Sequence, residues 1–286
     1  MKVIPIPLFH LEQNYAYLIL TQSKDHSFLV DPADSKVILQ FLEGFPDIKI
    51  SHILFTHKHW DHVGDAKELL PVLEKQYGAR PDVVLGAADA KEISEANITV
   101  GENKSFEVNE IKITCIPVPC HTRGSLLYYL EDKENLDKHN DLTLVQKEGV
   151  TTYRGVFTGD THFIAGCGKF FEGNAEEMHK NLTILGELPK DTFIYPGHEY
   201  TVSNLKWAMG IEWENEAYAE KLKWAEEKRA KDEYTVPSIV AEEFEINIFW
   251  RTKIDRVQER AGSKDPVQVL GALREMKDKK VSLANK

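Results

Sequence analysis

Thr56-His57-Lys58-His59-Trp60-Asp61-His62 directly follows the apolar run Ile53-Leu54-Phe55. The apolar run reads as a buried strand, and the polar run lies just beyond its end. Residues two apart along extended chain point the same way, so His57 and His59 converge on one point. Asp61 and His62 follow as the chain turns through Gly64 into a helix, and they face a second point close by. Imidazole nitrogen and carboxylate oxygen together suit zinc and other borderline divalent ions. A lone His-x-His reads equally well as a polar surface turn. Four ligand-type residues within six positions behind a buried strand do not.

Three further strand ends repeat the pattern. Cys120-His121-Thr122 follows the strand Ile113–Val118, Thr158-Gly159-Asp160-Thr161 ends Val156–Phe157, and Pro196-Gly197-His198-Glu199-Tyr200 ends Phe193–Tyr195. Each alone reads as a capping Asp or a satisfied surface His. Together they match the way a sheet-based fold collects its site on the loops beyond its strands.

Outward from these motifs, the first 200 residues alternate strands and helices. Short apolar or β-branched stretches occur at 15–21, 27–31, 50–56, 83–86, 111–117, 125–130, 156–159 and 192–195,. Amphipathic stretches at 35–42, 65–77 and 175–188 lie between some of them. The expected class is α/β, a sheet-based sandwich flanked by helices. Beyond residue 200, Trp207, Ile211, Tyr218, Leu222 and Trp224 recur at helical spacings and 266–280 is amphipathic, so a helical unit without a strong strand is expected. The polar stretch Glu131–Arg154 reads as a surface insertion without chemistry.

Composition bounds the rest. The chain has 286 residues, 42 % hydrophobic and 28 % charged, which fits a folded protein of about two domains,. No apolar run approaches the roughly 20 residues of a membrane span. The start has no secretory or transit layout and the terminal SLANK is no organelle address, so a cytoplasmic location without membrane association is expected. Three cysteines (Cys115, Cys120, Cys167) are too few for a disulfide framework and suit a reducing compartment,. The net charge of −11 disfavours nucleic acid, which is gripped by many Lys/Arg contacts to phosphate,. The acid excess is confined to residues 1–200, and residues 251–286 carry 10 Lys/Arg against 5 Asp/Glu.

THKHWDH, PCHTRGS, FTGDT, AGCGKFFEG and YPGHEYT, in this order and spacing, resemble the metallo-β-lactamase superfamily. Within it the chain is similar to the glyoxalase II (hydroxyacylglutathione hydrolase) family. The His-x-His-x-Asp-His motif marks only the superfamily. AGCGKFFEG, PGHEYT and the C-terminal NLKWA, TVPSIVAEEF and LREMKD point to the thioester hydrolases. The resemblance implies an αββα sandwich over 1–199 and an all-α glutathione-binding domain over 200–286. It implies two divalent ions per chain, zinc before iron or manganese, with His57, His59 and His121 on the first, Asp61, His62 and His198 on the second, and Asp160 between them. Asp31 is implied to support a ligand from behind. Lys169, Phe171, Tyr200, Arg274 and Lys277 are implied to hold the anionic glutathione part. Phe171 stands where the family often has tyrosine, Lys58 where it often has histidine, and Ile248 where proline is common.

The implied activity is hydrolysis of S-(2-hydroxyacyl)glutathione thioesters, such as S-lactoylglutathione, the second step of methylglyoxal detoxification. The expected partner is this small-molecule substrate, and the expected state a monomer. Two ions about 3.5–4 Å apart lower the pKa of a water toward neutrality and polarise a carbonyl. A thiolate, with a conjugate acid near about 8.5, leaves without a general acid. No Ser-His or Cys-His nucleophile is evident and none is required. Asp61 or Asp160 is expected to shuttle a proton. Three other readings compete. A glutathione-dependent persulfide dioxygenase needs one iron only, which leaves Asp61, His62 and His198 without a role. A ribonuclease Z-type phosphodiesterase wants a basic surface. A metal-stabilised binding module would close its coordination with four protein ligands.

Overall fold

The computed structural model describes residues 1–144 and 149–279. The terminal SLANK and part of the Glu131–Arg154 stretch lie outside the described residues. Two mixed sheets pack face to face. The first runs in the order β10 (Val150–Thr151), β1 (Lys2–Leu8), β2 (Asn14–Leu20), β3 (Ser27–Val30), β4 (Ile50–Leu54), β5 (Asp82–Gly86), β6 (Ile98–Val100). The second runs β15 (Ser238–Ile239), β14 (Phe193–Pro196), β11 (Arg154–Gly159), β9 (Leu126–Asp132), β8 (Ile111–Pro117), β7 (Lys104–Val108). A small hairpin joins β12 (His162–Phe163) to β13 (Gly166–Cys167).

Strand alternation decides the layering. On β2, Tyr15, Tyr17 and Ile19 enter the cluster between the sheets, while Ala16 and Leu18 face outward. Leu126, Tyr128 and Leu130 on β9 and Phe193 and Tyr195 on β14 do the same from the opposite side,. On the outer face of the first sheet, Ile53, Val83 and Leu85 meet α1 (Ser35–Leu42) and α3 (Ala66–Tyr77) through Ile38, Leu69 and Leu73. On the outer face of the second, Leu127, Val156 and Ile194 meet Leu185 of α4 (Ala175–Gly186). This is the expected αββα sandwich. Local signals agree with it, since Asp34 accepts from Val37 N to cap α1 and Asn174 with Glu177 forms a capping box on α4,.

Helices follow in the C-terminal region: α5 (Thr201–Met209), α6 (Glu216–Arg229), α7 (Val240–Ile246), α8 (Asp255–Ala261) and α9 (Pro266–Asp278). This is the helical region without a strong strand that was expected, with one small departure from all-α. Two residues before α7 form β15 and extend the second sheet antiparallel to β14. Among the described residues no helix is long and apolar enough to cross a membrane. Strand β1 escaped the sequence reading because Pro5 and Pro7 interrupt it. Its pairing with β10 covers only Lys2 and Val3, so both prolines sit where that neighbour asks for no N–H,. Strands β6 and β7 are short and only partly buried, as edge strands are,.

Candidate metal centre

The loops beyond β3, β4, β8, β11 and β14 meet at one end of the sandwich. The β4 loop carries His57 and His59 and then enters the short helix α2 (Trp60–Val63), which holds Asp61 and His62. Gly159 precedes Asp160 with φ +46, and a Cβ there would come within 2.3 Å of Thr56 Oγ1. Only glycine lets the β11 end approach the β4 end this closely.

His57, His59 and His121 bring ring nitrogens to one point: His57 Nε2 and His121 Nε2 each lie 3.0 Å from His59 Nδ1. Asp61, His62 and His198 meet at a neighbouring point. Asp61 Oδ2 is 3.5 Å from both His62 Nε2 and His198 Nε2, which are 3.3 Å from each other. Asp160 lies between the two groups, with Oδ1 3.2 Å from His62 Nε2 and 3.1 Å from His198 Nε2, and Oδ2 3.4 Å from His121 Nε2. All seven residues singled out as ligands are therefore gathered within a side chain's reach.

The outer ring nitrogens fix the tautomers. His121 Nδ1 donates to the Lys169 carbonyl at 2.9 Å and His198 Nδ1 to the Glu12 carbonyl at 2.8 Å. His62 Nδ1 donates to Asp31 Oδ2 at 2.9 Å. Thr56 Oγ1 spends its proton on Asp31 Oδ2 at 2.6 Å, so His57 Nδ1 donates to Thr56 Oγ1 at 3.1 Å. In their neutral forms, four imidazoles thus aim Nε2 lone pairs inward, and His62 and His198 aim theirs at each other. Asp160 Oδ1 is buried there without an aligned hydrogen bond. Such a cluster needs positive charge at its centre, and these His/Asp groups are suited to hold metal ions,.

The electrostatics agree. Burial raises the Asp160 carboxyl, but the His198 and His62 imidazoles outweigh it and hold it well below the usual carboxylate range. Burial works against charge on His62, yet Asp160 and Asp31 hold it well above the usual imidazole range. Burial pushes His57 and His121 down.

The cluster opens on a cleft of about 540 Å³. Its walls carry Lys169, Phe171, Tyr200, Arg274 and Lys277, all five of the residues singled out for the anionic ligand part. Their states differ. Tyr200 stacks on His198 with ring centroids 4.7 Å apart and donates to the Glu12 carbonyl at 3.0 Å. Phe171 is 61 % exposed beside His121. Arg274 is buried, donating to the Cys167 carbonyl at 2.9 Å and to Asp278 at 2.8 Å, so much of its guanidinium is engaged within the protein. Burial, with Arg274 nearby, pushes the Lys277 ammonium down to about 8. Lys58 points away from the cluster toward Glu92 and Glu172. Cys115, Cys120 and Cys167 are buried and unpaired, with thiols pushed up by burial to about 12, 12 and 11.

Two supports escaped the sequence reading. Asn14 Nδ2 donates to the Asp61 carbonyl at 2.9 Å and to Asp61 Oδ2 at 3.0 Å. Buried Asp89 ties the two histidine loops together, accepting from Lys58 N at 3.0 Å, Thr122 Oγ1 at 2.7 Å and Gly124 N at 2.9 Å. Each is a single polar residue with no local pattern to mark it.

Residues 11–131 match the family model of the metallo-beta-lactamase superfamily, and residues 199–280 match that of the hydroxyacylglutathione hydrolase C-terminus. The chain is 39 % identical over 282 residues to the cytoplasmic hydroxyacylglutathione hydrolase of Arabidopsis thaliana, covering 97 % of this chain and 98 % of that one. It is 38 % identical to a hydroxyacylglutathione hydrolase-like protein of Gallus gallus, covering 97 % and 89 %. Among solved structures, ETHE1 from Myxococcus xanthus shares the fold, with a TM-score of 0.61 at 22 % identity, covering 95 % of this chain and 90 % of that one. The chain belongs to the hydroxyacylglutathione hydrolase family of the metallo-β-lactamase superfamily.

Proposed function

We propose that this protein hydrolyses S-(2-hydroxyacyl)glutathione thioesters, S-lactoylglutathione among them, as the thioester-cleaving step of methylglyoxal detoxification. The observation that carries the reading is a seven-donor His/Asp cluster opening on a cleft with a cationic wall. His57, His59 and His121 would hold one divalent ion and Asp61, His62 and His198 the other, with the Asp160 carboxylate lying between the two groups. Zinc fits this donor set best, with iron and manganese also accepting it. Two ions so held supply Lewis acidity and bring a water's pKa toward neutrality.

The chain's own residues do the rest. Asp31 fixes the His62 ring through Nδ1, Glu12 fixes His198, and Asn14 fixes the Asp61 carboxylate. Lys169 and Lys277 attract the carboxylates of the glutathione part and orient the thioester carbonyl toward the cluster. Water oxygen adds to the acyl carbon, the C–S bond breaks, and glutathione leaves as thiolate without needing a proton. The proton released from water passes to a carboxylate of the cluster, Asp61 Oδ2 or Asp160 Oδ1. The division of labour follows the chain, with residues 1–199 carrying the catalytic cluster and 200–286 adding Arg274 and Lys277 beside Lys169 to the substrate-binding wall. A cytoplasmic location suits the three buried, unpaired cysteines,.

The test pairs two measurements, thioester absorbance with S-lactoylglutathione and metal counted per chain. Two ions and thioester loss support the reading. One iron per chain, oxygen uptake with glutathione persulfide and no thioester cleavage would overturn it.

A further inference from the structure

Between Asp160 and Lys169 the chain folds back through the small β12–β13 hairpin. Its turn residue Ala165 has φ +56, a left-handed conformation unfavourable for a residue with a Cβ,. Four side chains from the C-terminal helical region hold this hairpin by its backbone. Asn204 Nδ2 donates to the Ile164 carbonyl at 2.9 Å. Glu243 Oε2 accepts from Ala165 N at 3.0 Å. Asn247 Nδ2 lies 3.2 Å from the Phe163 carbonyl and 3.0 Å from the Gly166 carbonyl. Arg274 Nη1 donates to the Cys167 carbonyl at 2.9 Å. Five consecutive residues are thus gripped from outside the sandwich.

Glu243 is the centre of the grip. It is fully buried, and its oxygens also receive Ser238 Oγ at 2.7 Å and Asn247 Nδ2 at 2.9 Å, with His162 Nε2 3.2 Å away. Asn247 Oδ1 accepts from Phe249 N, so its NH2 group is forced to face the hairpin. A buried carboxylate spent on a surface connection would be a costly choice. It is explained by what the hairpin carries: Asp160 at its entrance, and at its exit Lys169, whose carbonyl fixes His121.

We propose that Glu243 and Asn247 are positioning residues of the metal centre, so that the helical region shapes the ion site as well as the cationic wall. The mechanism is restraint. Released from Glu243 and Asn247, the strained turn relaxes, the Asp160 carboxylate loses its place between the two histidine groups, and the Lys169 carbonyl drifts from His121 Nδ1. The inference rests on the two-ion reading above but not on the identity of the thioester.

The experiment measures zinc affinity of the full chain by chelator competition in the absence of any thioester, beside thermal unfolding of the metal-free protein. Glu243→Ala and Asn247→Ala are expected to weaken zinc binding about 10–100-fold, the range seen when partners of ligands are removed. Glu243→Gln keeps an acceptor oxygen for Ala165 N and should recover affinity to within about threefold of the wild type. Leu73→Ala, a core truncation in α3 whose buried cluster does not include the hairpin, should lower the melting temperature and leave zinc affinity unchanged. If Glu243→Ala does not fold, Asn204→Ser removes one bond to the hairpin and Asn247→Ser its two carbonyl contacts, and each should weaken zinc several-fold. Wild-type zinc affinity in the folded alanine or serine variants overturns the proposal, as does a Glu243→Gln variant no better than Glu243→Ala. Failure of the wild type to cleave S-lactoylglutathione would instead overturn the thioesterase reading and leave this one standing.

Discussion

A buried carboxylate can orient an imidazole that it never lets go. Asp31 takes the left-handed φ of +47 and receives three hydrogen bonds, from Thr56 N, Thr56 Oγ1 and His62 Nδ1. The first two bind the β3 and β4 ends together, and the third sets the His62 tautomer. Replacing Asp31 by Ala should weaken binding of the second ion about 10–100-fold, measured by metal titration, while the first site suffers less. Asp160→Ala should lose bound metal and turnover together, and full activity with two metals bound would refute its place between the ions. Lys277 makes a pH statement. Its ammonium is pushed down to about 8, so it is charged below that pH and neutral above. KM for the anionic thioester should therefore rise as pH climbs through about 8, with kcat less affected. Lys277→Ala should raise KM at pH 7 and abolish this alkaline limb; an unchanged limb would assign the titration elsewhere.

At the scale of elements, the site is a by-product of strand ends converging. Phe157 on β11 is fully buried, stacked 5.0 Å from Tyr195 and edge-on to Tyr17 at 5.3 Å, one residue pair below the loop that bears Asp160. Phe157→Ala should cost about 3–5 kcal/mol, seen as a lower denaturant midpoint with unchanged slope. These strand ends were legible in the sequence because buried strands read as apolar runs and ligands as polar punctuation just after them. The run from His57 to His62 put four donors in one glance. Asn14, Asp89, Glu243 and Asn247 were not legible. Each is a common polar residue whose role depends on a partner far along the chain, as Glu243 depends on Ala165, 78 residues away. The resemblance located the five cleft residues, Lys169, Phe171 and Tyr200 through AGCGKFFEG and YPGHEYT and Arg274 and Lys277 through LREMKD, but not their states. Arg274 reads as a substrate cation, yet the fold also spends it on the Cys167 carbonyl. The contiguous pattern marks the chemistry, while the scattered one holds it in place.

Across the whole molecule, charge is divided by task. The sandwich end gathers carboxylates and imidazoles around a point that demands cations, and the helical region adds Arg274 and Lys277 to Lys169 on the wall of the cleft. Each ion that binds only the folded chain stabilises it, by about 2.7 kcal/mol when free metal exceeds its Kd a hundredfold. Chelation should therefore lower Tm by roughly 5–10 °C for each ion removed, reversibly on adding zinc. An unchanged Tm with metal demonstrably removed would mean that the cluster is satisfied without ions. The most direct test of the central claim is a stepwise metal titration of the metal-free protein against S-lactoylglutathione. Thioester cleavage should rise with added ion and level off at two per chain. Full cleavage in the metal-free protein, or a plateau at one ion per chain, would contradict the two-ion centre built from these seven side chains.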